Sequence, residues 1–272
     1  MDSEYLEGYT CSLGYKMHYL EWGSSGKDIV ALHSMLMNAH DFDIFARSMS
    51  VDYRVLAIDL IGHGESVKPL KPVSLNKHTD VIRDVINQRR FMKPILIGHS
   101  VGGIHGIVYA SKYPDELDKL ILVDFAPRVS TEGNIRRRTP PPKPFHSEKQ
   151  ARAYFERRFR RFTEEARESA FKYMLEKVSD GTIRFKARRE SLEVNTESGK
   201  PIDLWSFVRD IRVPVLLIKG GDSPTITHER IEKMKETIED FHFVEVKGAT
   251  HMVPQDAPKE FEKNVRKFIK MK

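Results

Sequence analysis

Short apolar runs alternate with helical patterns along most of this chain, and that alternation constrains the fold more than any other feature. Each run is five or six residues long and rich in Val, Ile and Leu, which is typical of buried strands. The runs are Asp28–Leu32, Arg54–Ile58, Lys93–Ile97, Lys119–Val123, Val213–Ile218 and His242–Val246. Two further runs, Tyr9–Leu13 and Lys16–Glu21, flank Gly14 and predict a hairpin.

Helical patterns fill the intervals between these runs. They cover Asn38–Ser48, Leu75–Gln88, Val101–Lys112, Thr227–Ile238 and Pro258–Lys270. Strands that alternate with helices predict an α/β fold, in which helices cover both faces of a mostly parallel sheet.

The alternation stops between about Arg128 and Phe207, where no strong strand pattern occurs. Apolar residues there recur at three- and four-residue steps, which predicts two amphipathic helices. The first set is Ala151, Tyr154, Phe155, Phe159 and Phe162, and the second is Phe171, Met174, Leu175 and Val178. We predict a helical lid at residues 128–207, inserted after the sixth strand into a core formed by residues 1–127 and 208–272.

Composition excludes several classes of protein. The chain has 272 residues, of which 40% are hydrophobic and 10% aromatic, as in a folded globular protein and unlike a disordered one. Its longest uncharged apolar runs fall far short of the roughly 20 residues that span a bilayer, and no apolar signal segment follows Met1. The single cysteine, Cys11, cannot form an internal disulfide. We expect a cytoplasmic protein without a membrane span, and the sequence indicates no oligomeric state.

Positive charge is concentrated in one segment. Residues 128–167 contain 12 Lys and Arg against five Glu, an excess of +7 that leaves the rest of the +6 chain at −1. A local patch in a near-neutral body argues against nucleic-acid binding. The patch is either a solvated helix face or a rim where Arg157, Arg158, Arg160 and Arg161 bind an anionic leaving group.

The sharpest chemical signal is Gly98-His99-Ser100-Val101-Gly102, a G-x-S-x-G pattern between a predicted strand and a predicted helix. A strand–turn–helix context presents the serine hydroxyl at the end of a sheet, near the positive end of a helix. Ser100 is therefore our candidate nucleophile.

The candidate base is His251, because it follows the last predicted strand, where an open α/β sheet gathers its functional groups. His99, next to Ser100, is expected to point away from it and to pack, and His63 and His105 are expected to pack or to lie on the surface.

With Ser100 and His251 as candidate nucleophile and base, the chain resembles α/β-hydrolase fold proteins over nearly its whole length. It resembles the small lidded esterases and thioesterases most of all. The resemblance rests on His33-Ser34-Met35 after a strand, the Asp59–Ser66 segment, the Ser100 turn, Val123-Asp124-Phe125-Ala126-Pro127, and the Gly248–His251 loop. It implies an oxyanion hole formed by the backbone N–H groups of Val101 and Met35. Ser34 stands where the family normally has glycine, which implies either a different local backbone or a serine hydroxyl that lines the site.

The acid of the implied triad has two candidates. Members usually place it after the seventh strand in G-x-x-D, but that register here reads Gly220-Gly221-Asp222-Ser223, with Ser223 at the acid position and Asp222 one residue early. Some members place an acid at the end of the sixth strand instead, which is Asp124 here. We favour Asp124 and keep Asp222 as the alternative.

These residues predict a cofactor-independent serine hydrolase that cleaves small carboxylic esters or thioesters through an acyl-enzyme. Gly62-His63-Gly64 lacks the third glycine of a dinucleotide fingerprint, and no histidine pair has metal-ligand spacing, so neither a cofactor nor a metal is expected. The alternatives on the same triad are a carbon–carbon bond hydrolase, a cofactor-free haloperoxidase and a receptor that keeps the pocket without turnover. A serine at position 100 argues against the epoxide hydrolases and dehalogenases of this fold, which use aspartate.

Overall fold

The computed structural model describes residues 5–128, 142–187 and 202–271. Its strands are β1 (Leu6–Ser12), β2 (Tyr15–Trp22), β3 (Lys27–Leu32), β4 (Tyr53–Ile58), β5 (Ile95–His99), β6 (Lys119–Val123), β7 (Leu175–Lys177), β8 (Ile183–Phe185), β9 (Val215–Gly220) and β10 (Phe241–Val246). Its helices are α1 (Asp43–Met49), α2 (Leu75–Gln88), α3 (Val101–Lys112), α4 (Glu148–Arg158), α5 (Glu164–Met174), α6 (Leu204–Val208), α7 (His228–Thr237), α8 (Val253–Asp256) and α9 (Pro258–Ile269). Short 3-10 turns at Ala39–Phe42 and Pro114–Glu116 complete the set.

Eight of these strands form one sheet in the order β1-β2-β4-β3-β5-β6-β9-β10. The β1–β2 and β2–β4 pairs are antiparallel, and the pairs from β4 to β10 are parallel. The parallel strands therefore end at the same edge of the sheet, and the loops that follow β3, β5, β6, β9 and β10 gather there.

Helices cover both faces of this sheet, which explains why its central strands are apolar along their whole length. One face packs against α2, α3 and α6, with Val85, Ile104 and Trp205 among the buried side chains. The other packs against α1 and α9 through Phe45 and Phe261. The predicted α/β class, with a mostly parallel sheet between two layers of helices, is confirmed.

The insertion between β6 and β9 contains more than helices. We predicted a second amphipathic helix reaching Val178, but α5 ends at Met174, and Leu175–Lys177 pairs antiparallel with Ile183–Phe185. A turn at Asp180–Gly181 causes the difference, because Gly181 adopts a φ of 82° and the Asp180 carboxylate accepts the Thr182 N–H. Parts of the predicted lid, residues 129–141 and 188–201, lie outside the described residues.

The described part of the insertion packs on the core through an aromatic group that we call the insertion cluster. Its members include Phe145, Phe155, Phe159, Phe162 and Phe185 from the insertion and Met37 and Met252 from the core. Met37 belongs to the loop after β3 and Met252 follows His251 directly, so the insertion lies against both loops. Among the helices of the described ranges, none is long and apolar enough to cross a membrane.

Candidate active site

Ser100 lies at a sharp turn between β5 and α3. Its φ of 53° and ψ of −108° lie outside the conformations that a residue with a Cβ normally adopts, which costs about 1–3 kcal/mol. The surrounding backbone holds this conformation, because the Ser100 N–H donates to Val123 O at 3.0 Å and the Gly103 N–H donates to Ser100 O at 2.9 Å. Ser100 therefore lies in a strained turn between a strand and a helix, the context that the G-x-S-x-G pattern indicates.

Two glycines allow this turn to close. A Cβ on Gly98 would lie 2.5 Å from the Gly102 carbonyl oxygen, and a Cβ on Gly102 would lie 2.2 Å from the carbonyl oxygen of Leu32. Both contacts are with backbone atoms that cannot move aside. The flanking glycines of the pattern thus let strand and helix approach as closely as the turn requires.

Asp124 and His251 are in direct contact across the end of the sheet. Asp124 follows β6, is fully buried, and places its Oδ2 2.6 Å from His251 Nδ1. Its other oxygen, Oδ1, accepts the Gly220 N–H at 2.9 Å, and its own N–H donates to Ile218 O at 2.7 Å. Asp124 has a φ of 45°, a left-handed conformation that aspartate tolerates better than most residues.

Opposing effects set the ionisation of Asp124. Burial by itself would raise its pKa, but hydrogen bonds to its carboxylate from His251 and Ser223 outweigh burial, so the pKa lies below the ordinary aspartate value. The carboxylate is ionised at neutral pH and can stabilise a positive charge on His251.

Asp222, the alternative acid, faces elsewhere. Its Oδ2 is 2.7 Å from Arg161 Nη2 of the insertion, and both side chains are about half exposed. The structure therefore brings Asp124, and not Asp222, into contact with His251. Ser223, at the position where the acid usually stands, donates its hydroxyl proton to Asp124 Oδ2 over 2.6 Å.

His99 supports the His251 loop, a role that sequence analysis missed. It is fully buried, and its Nε2–H donates to the backbone oxygen of His251 at 2.8 Å. Burial, helped by the nearby His251, lowers the pKa of His99 to about 3, so this ring is neutral. The sequence places His99 beside Ser100, but no local pattern shows that its ring reaches the backbone of the His251 loop.

The loop after β3 holds Met35 in place through its neighbours. His33 is fully buried, donates from Nδ1 to Ser34 O at 2.7 Å and accepts the Leu60 N–H at Nε2. Ser34 O also accepts the Met37 N–H at 3.2 Å. Ser34 in place of glycine therefore does not open this turn, because its carbonyl oxygen is held from two sides.

Two backbone donors remain available at this edge of the sheet. Within residues 5–128, 142–187 and 202–271, the N–H groups of Met35 and Val101 donate to no protein acceptor. Val101 opens α3, where the helix dipole favours negative charge. The same described ranges contain no cluster of three or more His, Cys, Asp and Glu side chains arranged to hold a metal ion.

Comparison with known proteins places this geometry in a family. A family model described as the alpha/beta hydrolase family matches residues 29–263. The chain is 28% identical over 248 residues to 2-(acetamidomethylene)succinate hydrolase of Mesorhizobium japonicum, covering 90% of this chain and 88% of that one. It is also 28% identical to human serine hydrolase-like protein 2, covering 91% of this chain and 88% of the relative.

A solved structure agrees with these matches. The crystal structure of E-2-(acetamidomethylene)succinate hydrolase superposes with a TM-score of 0.86 at 25% identity, covering 98% of this chain and all of that one. The strand order, the strained serine turn between β5 and α3, and the match over residues 29–263 lead to one conclusion. This chain belongs to the alpha/beta hydrolase family.

Proposed function

We propose that this protein is a serine hydrolase that cleaves carboxylic esters or thioesters through an acyl-enzyme on Ser100. The observation that carries the proposal is the 2.6 Å contact between buried, ionised Asp124 and His251, at the sheet edge where β5 presents Ser100. A histidine held by a buried carboxylate is the base that a serine nucleophile needs.

The proposed reaction has two half-reactions. Ser100 Oγ attacks the substrate carbonyl while His251 takes the serine proton, and Asp124 stabilises the imidazolium through Nδ1–H. The N–H groups of Met35 and Val101 stabilise the negative oxygen, each by about 3–4 kcal/mol. His251 then returns the proton to the leaving alcohol or thiol. Water attacks the acyl-enzyme by the same route, releasing the acid and restoring Ser100.

The relatives support a hydrolase and suggest one substrate class to include in an assay. The Mesorhizobium relative is named for a succinate derivative, so carboxylate-bearing substrates should stand beside neutral esters. The exposed Arg157, Arg158 and Arg160 of the insertion provide positive charge that suits such substrates.

Replacement of the nucleophile tests the proposal. Ser100→Ala should abolish turnover of p-nitrophenyl esters of graded chain length, because only binding and the oxyanion hole remain. A fluorophosphonate probe should label wild type and not this variant. Ser50→Ala, a serine at the end of α1, is the matched control and should keep full activity and labelling. If Ser100→Ala kept more than about a tenth of wild-type kcat, Ser100 could not be the nucleophile.

The ester assay, extended to further substrates, separates the alternatives. Steady multiple turnover identifies an enzyme, whereas a single burst followed by no turnover supports a receptor that keeps the pocket. Cleavage of an activated diketone without cleavage of any ester or acyl-CoA would indicate a carbon–carbon bond hydrolase. Bromination by peroxide and bromide without ester cleavage would indicate a haloperoxidase.

A further inference from the structure

Asp124 is surrounded by a small ring of polar atoms that includes two hydroxyl groups. Ser223 Oγ is 2.6 Å from Asp124 Oδ2, which is 2.6 Å from His251 Nδ1. Thr225 Oγ1 closes the ring, at 3.4 Å from His251 Nδ1 and 3.0 Å from Ser223 Oγ. The Ser223 hydroxyl and the His251 ring thus share one carboxylate oxygen.

The direction of the Ser223 hydrogen bond follows from its neighbours. Ser223 Oγ accepts the Thr225 N–H at 3.2 Å, so its single proton is free to point at Asp124 Oδ2, the nearer and charged acceptor. Ser223 is 6% exposed and its N–H donates to Gly220 O at 3.0 Å. Gly220 in turn donates its N–H to the other Asp124 oxygen. The end of β9 and the turn after it therefore hold both oxygens of the carboxylate that follows β6.

We propose that Ser223 is a positioning residue, whose hydroxyl fixes the Asp124 carboxylate so that Oδ2 faces His251 Nδ1. The inference rests on the proposed function of Ser100, His251 and Asp124. It has a structural corollary: the Ser223 side chain points at Asp124 Oδ2, the oxygen that contacts His251 Nδ1, so we expect a carboxylate at position 223 to reach the same ring. An acid at 223 with an amide at 124 would exchange the two roles, because the amide could donate to the new carboxylate as Ser223 now donates to Asp124.

The other charged groups near this ring are neutral or have partners of their own, and buried Arg230 donates from Nη1 to the Thr225 backbone oxygen at 3.0 Å. Buried His99 is neutral, Asp222 pairs with Arg161, and Lys219 pairs with Glu245 at 2.9 Å. Asp256 accepts from the Thr250 N–H at 2.7 Å and from its hydroxyl. Changes at Ser223 should therefore act on Asp124 and His251 first.

The first test removes the hydroxyl. Ser223→Ala should lower kcat for a p-nitrophenyl ester about tenfold with little change in KM, since a hydrogen bond to a charged group is lost. The acidic limb of kcat/KM against pH should also move up by about half a unit, roughly threefold on that limb. Ser223→Cys, with a weaker donor, should fall between wild type and Ser223→Ala.

A matched control separates this role from stability. Ser12 is also buried, and its hydroxyl donates to Val81 O at 2.9 Å, far along the chain from the site. Ser12→Ala loses a comparable buried hydrogen bond and should leave kcat and the pH profile unchanged. Equal effects of Ser12→Ala and Ser223→Ala, or a wild-type profile in Ser223→Ala, would overturn the proposal.

The second test exchanges the roles. Asp124→Asn should lose about 10⁴ in kcat, and Asp124→Asn/Ser223→Asp should recover at least about a hundredfold, equivalent to roughly 3 kcal/mol. Asn suits the left-handed backbone at 124, so the exchange strains no turn. A folded double variant, by circular dichroism and urea unfolding, that is no more active than Asp124→Asn would show that position 223 does not face His251.

A spectroscopic readout keeps the inference independent of turnover. A proton in the 2.6 Å His251–Asp124 contact should give a far-downfield ¹H resonance, assigned by its loss in His251→Gln. Ser223→Ala should shift or broaden this resonance and Ser12→Ala should not. If wild type cleaved no substrate but the resonance shifted in Ser223→Ala and not in Ser12→Ala, the proposed function would fail while the positioning role of Ser223 stood. If the resonance did not change in folded Ser223→Ala, the positioning role would be rejected.

Discussion

At the scale of single residues, the choice between Asp124 and Asp222 is decided by side-chain direction and not by position along the chain. Both follow strands that are neighbours in the sheet, β6 and β9, so either could approach the loop that carries His251. The left-handed backbone of Asp124 turns its carboxylate onto the His251 ring, while Asp222 extends to Arg161. The two carboxylates are therefore expected to have different functions.

Paired substitutions measure that difference. Asp124→Asn should lower kcat by about 10⁴, because asparagine favours the wrong tautomer of His251, the proposed base. Asp222→Asn loses only a half-exposed ion pair and should change kcat less than about threefold. Steady-state kinetics on one p-nitrophenyl ester decide the matter. Comparable losses in both variants would mean that either carboxylate serves, and a loss confined to Asp222→Asn would reverse the assignment.

At the scale of residues, the sequence predicts those features of the candidate site that depend on neighbouring residues. The Ser100 turn was visible because a G-x-S-x-G between a strand and a helix is a pattern of adjacent residues. His251 was visible because it follows the last strand. The sequence leaves the proposed acid between two candidates, because the contact between Asp124 and His251 joins residues 127 positions apart. The support from His99 and Ser223 was not visible for the same reason.

At the scale of elements, the insertion is tied to the loops that carry the site. Arg161, between α4 and α5, pairs with Asp222 beside Ser223, and the Thr163 N–H donates to Gln255 O of α8 at 3.0 Å. Periodicity predicted helices here but could not predict β7 and β8, because a three-residue strand is too short to show alternation. Periodicity also could not show that Arg161, and not one of its neighbouring arginines, would form an ion pair with Asp222.

The arginines of the insertion give a prediction about substrates. Arg157, Arg158 and Arg160 are exposed, and we expect them to attract anionic groups; Arg161 is left in place because it anchors the insertion. Changing the three to Gln should raise KM for an acyl-CoA about fivefold, the equivalent of roughly 1 kcal/mol, and leave KM for a neutral p-nitrophenyl ester unchanged.

A charge-matched control accompanies that experiment. Lys259, Lys263 and Lys267 are exposed on α9, which packs on the core sheet and lies outside the insertion, so their replacement by Gln removes the same charge elsewhere. It should leave both KM values unchanged. The wild-type preference for acyl-CoA should weaken above about 0.15 M salt, where charges are screened beyond about 8 Å. Equal salt dependence for neutral and anionic substrates would make these arginines an ordinary solvated face.

At the scale of the whole molecule, the core contains several neutral histidines. Burial lowers the pKa of each of four rings that are at most 5% exposed, His33, His63, His78 and His99. Two of them accept backbone N–H groups at an unprotonated nitrogen, His33 from Leu60 and His78 from Ile61. Protonation would break these hydrogen bonds as well as place a charge in the core. The loop that follows β4 therefore depends on neutral imidazoles.

His18 has the opposite tendency. Burial would lower its pKa, but its hydrogen bond to Asp59 at 2.7 Å and the charge of that carboxylate outweigh burial and raise it. Because the pKa of His18 is higher in the folded than in the unfolded protein, its protonation stabilises the fold. This stabilisation is fully present below the unfolded pKa of about 6.5 and is lost as the pH rises through the folded pKa. His18 therefore limits stability on the alkaline side, and the four neutral rings limit it on the acidic side.

The four lowered pKa values predict acid lability with a defined sign. Below the unfolded pKa of about 6.5 the unfolded chain binds protons that the folded chain does not. The free energy of unfolding should therefore fall between pH 6.5 and 5.5 by about 1 kcal/mol for each of His63, His78 and His99, whose folded pKa values lie well below 6.5, and His33 adds to this fall. Urea unfolding across this range measures the slope. His63→Gln should reduce the slope by about one proton, whereas His146→Gln, at an exposed position, should not change it. The slope of the unfolding free energy against pH gives the number of protons that the chain takes up on unfolding. A number below one in wild type would mean that these rings are already protonated in the folded protein, contrary to their burial.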